Sequence, residues 1–180
     1  SPNNFKSFND YTYDLKYDDE FQTDNLHIVR LPIWKYISNR AIYKRGFRKA
    51  IKEINPDIIN IHWFQNGCLS IEDLQKINKP IIFTLHDNWL YTGGCHITWG
   101  CEKFQTNCKK CQYLKNNGNH DISAKVFNRK KKVFSKFNFG VTALSNYVYK
   151  DVCNSVLLQN KKKFCIPNCI NTNIFKFKTD

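Results

Sequence analysis

Three short apolar runs constrain this chain more than any other feature: Asp57-Ile-Ile-Asn-Ile-His62, Pro80-Ile-Ile-Phe-Thr-Leu85 and Phe139-Gly-Val-Thr-Ala-Leu144. Each is rich in β-branched or aromatic residues and too short to bury a helix, so each reads as a strand. Helix-period stretches lie between them. Ser70, with Asp73 three residues on, predicts a helix through Ile77. Asp121 predicts the cap of a helix to about Phe137, and Ser145 opens another to about Leu158. Lys163 to Ile166 reads as a last strand, ended by Pro167. Strands alternating with helices predict an α/β fold, a Rossmann-like parallel sheet with right-handed crossovers. The run Pro80–Leu85 is apolar almost throughout, as in a strand covered on both faces.

Upstream the signal is weaker. Residues 1–25 read as irregular, and Leu26 to Leu31 as a short strand that begins the alternation. Apolar residues at Ile33, Ile37, Ala41, Ile42, Ala50, Ile51 and Ile54 fit one buried stripe of a single helix over Ile33–Ile54, stopped by Pro56. The chain has no Met and opens at Ser1, which leads us to expect an internal piece of a longer protein or a processed chain.

Charge narrows the partners only partly. The 28 Lys+Arg against 15 Asp+Glu give a net charge of +13, which attracts nucleic acid, acidic lipid or phosphorylated substrates. Lys, Asn and Ile are abundant everywhere, however, so a global bias accounts for most of it. Tight basic clusters occur only at Arg129–Lys132 and Lys161–Lys163. With 42% hydrophobic residues the chain should fold, and no apolar run approaches the ~20 residues that span a bilayer, so any membrane contact is peripheral.

Ligands of an open parallel sheet bind outside the carboxyl ends of its strands. Those ends carry His62 and Trp63, then His86, Asp87, Asn88 and Trp89, then Ser145 and Asn146, and finally Asn168. All can hydrogen-bond a sugar hydroxyl or a phosphate, and Trp63 and Trp89 can stack on a sugar ring. Polar residues also end strands simply because turns favour them. Two histidines at two neighbouring ends say more than that. His86 is the first catalytic candidate and Asp87 the second. A carboxylate beside an imidazole can fix its tautomer, but strand neighbours point opposite ways, so this pair requires the chain to turn at Asn88.

Four of the eight cysteines, Cys95, Cys101, Cys108 and Cys111, are spaced C-x5-C-x6-C-x2-C, with Gly93, Gly94 and Gly100 nearby and His96 as an alternate ligand. The last pair is a knuckle of the kind that holds structural zinc. Three readings stand open: a tetrahedral zinc clip, two disulfides as in an exported protein, or free thiols. The scattered Cys68, Cys153, Cys165 and Cys169 read as small core residues.

The stretches Pro56-Asp-Ile-Ile-Asn-Ile-His62-Trp63, Leu69-Ser-Ile-Glu-Asp-Leu74, Pro80-Ile-Ile-Phe-Thr-Leu-His86-Asp87-Asn-Trp89 and Thr92-Gly-Gly-Cys95-His96 resemble the N-terminal domain of GT-B glycosyltransferases of family 4. The likeness is to the bacterial polysaccharide-synthesis branch with Cys-rich segments. Val141-Thr-Ala-Leu-Ser145 and Ile166-Pro-Asn-Cys-Ile-Asn-Thr-Asn-Ile-Phe175 resemble that domain's last strand and helix and the entry to the second domain. The resemblance implies two Rossmann-like domains around a cleft. Residues 1–176 would then be part of the acceptor-side domain, with a Cys-rich insertion over 93–114, and 177–180 would begin an interdomain linker. It implies transfer of a sugar with retention from a nucleotide sugar, bound by the second domain, to a glycan or lipid-linked acceptor. No metal is required for that catalysis, and the implied place is the cytoplasm, peripheral to the inner membrane face. His86 matches the family's cleft histidine; Gly93, Gly94 and His96 join His62, Trp63, Trp89, Ser145 and Asn168 as substrate-binding candidates. Where the family often has Gly and Asp, this chain has Cys169 and Asn171. The family's Glu-x7-Glu motif has no match among Glu20, Glu53, Glu72 and Glu102, so the 180 residues alone are expected not to turn over. The rival reading is a zinc-containing basic module for nucleic acid, although a specific nucleic acid is not expected.

Overall fold

The computed structural model describes residues 20–23, 26–29, 35–37, 40–42, 44–64, 69–172 and 174–175. The chain divides into two compact units, residues 1–56 with 64–70 and residues 57–63 with 71–180.

In the first unit β1 (Glu20–Thr23) pairs antiparallel with β2 (Leu26–Val29), and β3 (Lys35–Ile37) pairs antiparallel with β4 (Arg40–Ile42). Helix α1 runs from Lys44 to Ile54. Two expectations are corrected here. The strand at Leu26 belongs to a hairpin and does not begin the parallel sheet, and the helix expected from Ile33 starts only at Lys44. The helical stripe through Ile37, Ala41 and Ile42 was misleading, because the β-prone Tyr36, Ile37 and Ile42 suit strands equally well and Ser and Asn, at 38 and 39, are residue types that disfavour a helix interior. Gly46 thereby falls in the first turn of α1. At the other end Asn55 takes the left-handed conformation (φ 48°), donates its N–H to the Ile51 carbonyl, and precedes Pro56.

The second unit is built on β5 (Ile59–Ile61), β6 (Ile81–Leu85), β7 (Gly140–Ala143) and β8 (Lys162–Cys165), all parallel and adjacent in that order. The connections carry α2 (Ile71–Leu74), α3 (Ile122–Phe134) and α4 (Asn146–Asn154). This is the Rossmann-like α/β arrangement that the alternation implies. The helix expected through Ile77 is a single α turn that tightens: Lys76 and Ile77 donate to the carbonyls three residues back, Asp73 and Leu74. The helix expected to reach Leu158 breaks at Ser155, whose backbone is extended and whose hydroxyl donates to the Tyr91 carbonyl; Val156–Leu158 form a separate 3-10 turn.

The sheet has unlike faces. Ile61, Ile81, Phe83, Leu85, Val141 and Ala143 are buried on one side, where Phe83, Phe134 and Phe139 meet ring to ring with centroids 5.1–5.2 Å apart. Each such side chain stabilises the fold by roughly 1.5–3 kcal/mol through burial. The opposite side, where paired residues point together, carries Asn60, Ile82, Thr84, Gly140 and Thr142. It is more polar, yet Thr84 and Thr142 are buried there too, so β6 is covered on both faces as expected, with only Ile82 part-exposed. A groove of about 690 Å³ lies at the amino edge of the sheet, lined by Ile58, Pro80, Ile82, Phe139 and Phe164 among others.

The long segment after β6 has little regular structure, with 3-10 turns only at Trp89–Tyr91 and Lys103–Gln105. It is nevertheless anchored. Tyr91 and Phe104, both essentially buried, pack edge to face at 5.2 Å. Asp121 caps α3 as expected, accepting from the Ala124 N–H (2.9 Å), and the same carboxylate accepts from the Ser123 hydroxyl (2.6 Å) and the N–H groups of Cys111 (2.8 Å) and Gly118 (3.4 Å). These donors hold its carboxyl well below the usual carboxylate range. Gly93 is tight for a different reason: a Cβ there would stand 2.6 Å from the Cys108 Cβ and 2.7 Å from the Ser123 carbonyl oxygen. Gly93→Ala should therefore destabilise the chain by about 1–3 kcal/mol through overpacking. Urea unfolding followed by circular dichroism checks this; an unchanged midpoint would show that the loop has slack.

Candidate active site at the carboxyl edge of the sheet

Strand register decides what meets at the carboxyl edge. Asn60 pairs with Ile82 and Ile61 with Phe83, so His62 comes level with Thr84, and His86 lies one pleat further along the same face. The two imidazoles meet: His62 Nδ1 lies 2.8 Å from His86 Nε2, and the rings stack with centroids 5.1 Å apart. Beneath them Thr84 Oγ1 donates to Asn60 Oδ1 (2.8 Å), and Asn60 Nδ2 lies 3.2 Å from His62 Nε2.

Asp87 has a different partner from the one its position suggested. Its Oδ2 lies 2.6 Å from His96 Nδ1 and its Oδ1 accepts from the Trp89 N–H at 2.8 Å. The physical reason is strand alternation: Asp87 leaves the chain on the side opposite His86, and the turn at Asn88 directs it into the following loop. Asn88 closes that loop by donating its N–H to the His96 carbonyl (2.9 Å). Trp63, half-exposed, stacks on His96 with centroids 5.5 Å apart. The contacts His62–His86 and Trp63–His96 thus both bridge the ends of β5 and β6.

The other sequence candidates are placed apart from this cluster or committed to structure. Trp89 receives the Lys130 ammonium 3.4 Å from its ring centroid. Gly93 is packed against Cys108, and Gly94 (φ 129°) makes the turn in which Thr92 Oγ1 accepts its N–H and donates to the Cys95 carbonyl. Ser145 caps α4 by accepting from the Val148 N–H (3.2 Å), and Asn168 is exposed beyond β8.

Lys130, read from sequence as part of a basic cluster, is fully buried. Its ammonium donates to the carbonyls of Trp89 and of Thr92, the latter at 3.0 Å, and so ties α3 to the segment carrying Asp87 and His96. Burial lowers its pKa from 10.5 to about 7, against the pull of Cys108, Asp87 and Cys95. The buried positions Phe127, Lys130 and Phe134 of α3 are one helical stripe, a signal present in the sequence. Three more residues of the two basic clusters are also engaged. Arg129 makes a two-pronged ion pair with Glu72, Lys161 donates to the carbonyls of Phe134 (2.8 Å) and Phe137 (2.7 Å), and Lys163 to those of Gln159 and Lys161. Lys131, Lys132 and Lys162 stay exposed, so the clusters offered to nucleic acid or acidic lipid are only partly used inside the fold.

All seven described cysteines are free thiols; Cys68 lies outside the described residues. Burial, followed by the neighbouring Cys111 and Cys101 thiols, raises the Cys95 pKa. Cys108 is buried, accepts from the Gly93 N–H, and is pushed up to about 11, chiefly by burial. Among the described residues no group of three or more His, Cys, Asp or Glu side chains is set to hold a metal ion. The tetrahedral clip expected from the cysteine spacing is not formed among these residues.

A family model described as Glycosyltransferase Family 4 matches residues 11–174. The chain belongs to glycosyltransferase family 4. Over 79 residues it is 30% identical to the Escherichia coli (strain K12) protein named "Putative colanic acid biosynthesis glycosyl transferase WcaC", a match covering 39% of this chain and 20% of that protein. No solved structure matches. His62 and His86 face each other at adjacent strand ends, the edge where ligands of an open parallel sheet bind. Among the described residues no helix is long and apolar enough to cross a membrane.

The buried Lys130 gives a pH-dependent prediction. Its folded pKa lies below the unfolded one, so its cost to stability is absent above pH 10.5, grows as pH falls, and is complete below about 7. Denaturation of wild type and Lys130→Met across this range should show a stability difference that shifts against wild type as pH falls. Cys95 and Cys108 interact with Lys130, so both proteins are compared with these two thiols replaced by alanine. A difference that does not vary with pH would contradict the buried charge.

Proposed function

We propose that this chain forms the acceptor-side wall of a glycosyltransferase cleft, in an enzyme that transfers a hexosyl group from a nucleotide sugar to a glycan or lipid-linked acceptor with retention of anomeric configuration. The observation that carries the reading is the His62–His86 pair at the carboxyl ends of β5 and β6, where a family member's ligand chemistry is expected. Both residues are exposed and so accessible to a substrate. In this reading His86 hydrogen-bonds a sugar hydroxyl or phosphate oxygen as charge develops at the reacting centre. The half-exposed Trp63, held by His96 and through it by Asp87, offers a ring for a sugar to stack on. The nucleotide is held by a second domain, and a polysaccharide role is consistent with the name of the Escherichia coli relative. We place the enzyme at the inner face of the cytoplasmic membrane, where lipid-linked acceptors are reached.

The test uses the full-length protein that contains this chain, assayed for donor-dependent sugar transfer. His86→Ala should lower kcat by roughly 10²-fold, the scale of losing one hydrogen-bond donor to a transition state. Trp63→Ala should chiefly raise KM. Undiminished transfer by His86→Ala would remove this histidine from the mechanism, and a product of inverted configuration would refute retention.

A further inference from the structure

We infer that Thr84, Asn60 and His62 form a one-way hydrogen-bond chain that fixes the tautomer of His86, so that His86 meets its ligand as a hydrogen-bond donor through Nδ1 and not as a proton acceptor. The order follows link by link. The Asn60 amide stands with Oδ1 2.8 Å from the Thr84 hydroxyl, which donates to it, and with its NH2 facing His62. That NH2 can only donate, and lies 3.2 Å from His62 Nε2, so Nε2 is the unprotonated nitrogen of His62. The His62 proton is then on Nδ1, 2.8 Å from His86 Nε2, which must accept it. A neutral imidazole with an accepting Nε2 carries its proton on Nδ1. His86 is exposed, and its Nδ1 has no hydrogen-bond partner among the described residues, so this N–H is the group left for a ligand oxygen.

The chain also has a physical anchor. Thr84 is buried in the sheet and Asn60 stands on the neighbouring strand, so the direction is set below the reactive edge. A His86 proton on Nε2 would confront the His62 N–H across 2.8 Å and break the pair. Asn60, Thr84 and His62 act as positioning residues in this scheme, while His86 touches the ligand. The ligand's chemical class, an acceptor oxygen on a hydroxyl or phosphate, rests on the glycosyltransferase reading above; the tautomer does not.

Long-range proton–nitrogen spectra of the full chain labelled with ¹⁵N-histidine read each tautomer directly. Single His→Gln variants assign His62 and His86. Both rings should carry their proton on Nδ1 in wild type. Asn60→Asp should reverse the order: the introduced carboxylate accepts from His62 Nε2–H, His62 Nδ1 then accepts, and His86 moves its proton to Nε2. Thr84→Val, a nearly isosteric change, should leave His86 a mixture of tautomers. A wild-type His86 protonated on Nε2 would overturn the inference without any variant. A His86 tautomer unmoved by Asn60→Asp in a folded chain, at a pH where the spectra show His62 neutral, would overturn it as well. None of these readouts depends on sugar transfer, so failure here is distinct from failure of the proposed activity.

Discussion

The parallel register of β5 and β6 is the constraint on which the rest of the site depends. With Asn60 beside Ile82, the even-numbered residues of both strands share a face, and Asn60, His62, Thr84 and His86 fall into contact. A slip of one residue would send one histidine to the buried side, against Phe83 and Val141. The apolar face resists such a slip, because either Ile61 or both Phe83 and Leu85 would be turned out of the core. Packing on one side of the sheet thus enforces polar contacts on the other.

The loop beyond β6 needs separate support, since it has almost no regular structure. Lys130 reaches from α3 to the carbonyls of Trp89 and Thr92, and Asp121 holds the segment around Cys111 and Gly118 while capping the same helix. Burying an ammonium is costly, and the two carbonyls and the Trp89 ring offset only part of that cost. The consequence reaches the site through Asp87, whose carboxylate holds His96 against Trp63. Asp87 therefore acts on His96 and not on His86.

Much of the fold could be read from the sequence where local and global signals agree. The runs at Ile59–Ile61, Ile81–Leu85 and Gly140–Ala143, the caps Asp121 and Ser145, and the parallel order all follow from patterns visible in single segments. Residues 33–42 could not be read this way, since Ile37, Ala41 and Ile42 satisfy a helical stripe and a hairpin alike. The two histidines were legible as strand-end residues, but their contact was not, because it depends on the pairing of strands 24 residues apart. Asn60 and Thr84 look like ordinary strand polar residues until that register is known. Lys130 was misread for the opposite reason: its place on the Phe127–Phe134 stripe was visible, but a lysine in a basic run suggests a solvated surface.

The central claim is that the β5–β6 edge of this chain faces the sugar chemistry through His86. A crystal structure of the full-length protein with nucleotide sugar and acceptor bound tests it most directly. The account predicts a ligand hydroxyl or phosphate oxygen within hydrogen-bond reach of His86 Nδ1, about 2.6–3.2 Å, with His62 still bonded to Nε2. Ligands bound elsewhere in a closed complex, with His86 contacting only protein, would contradict it.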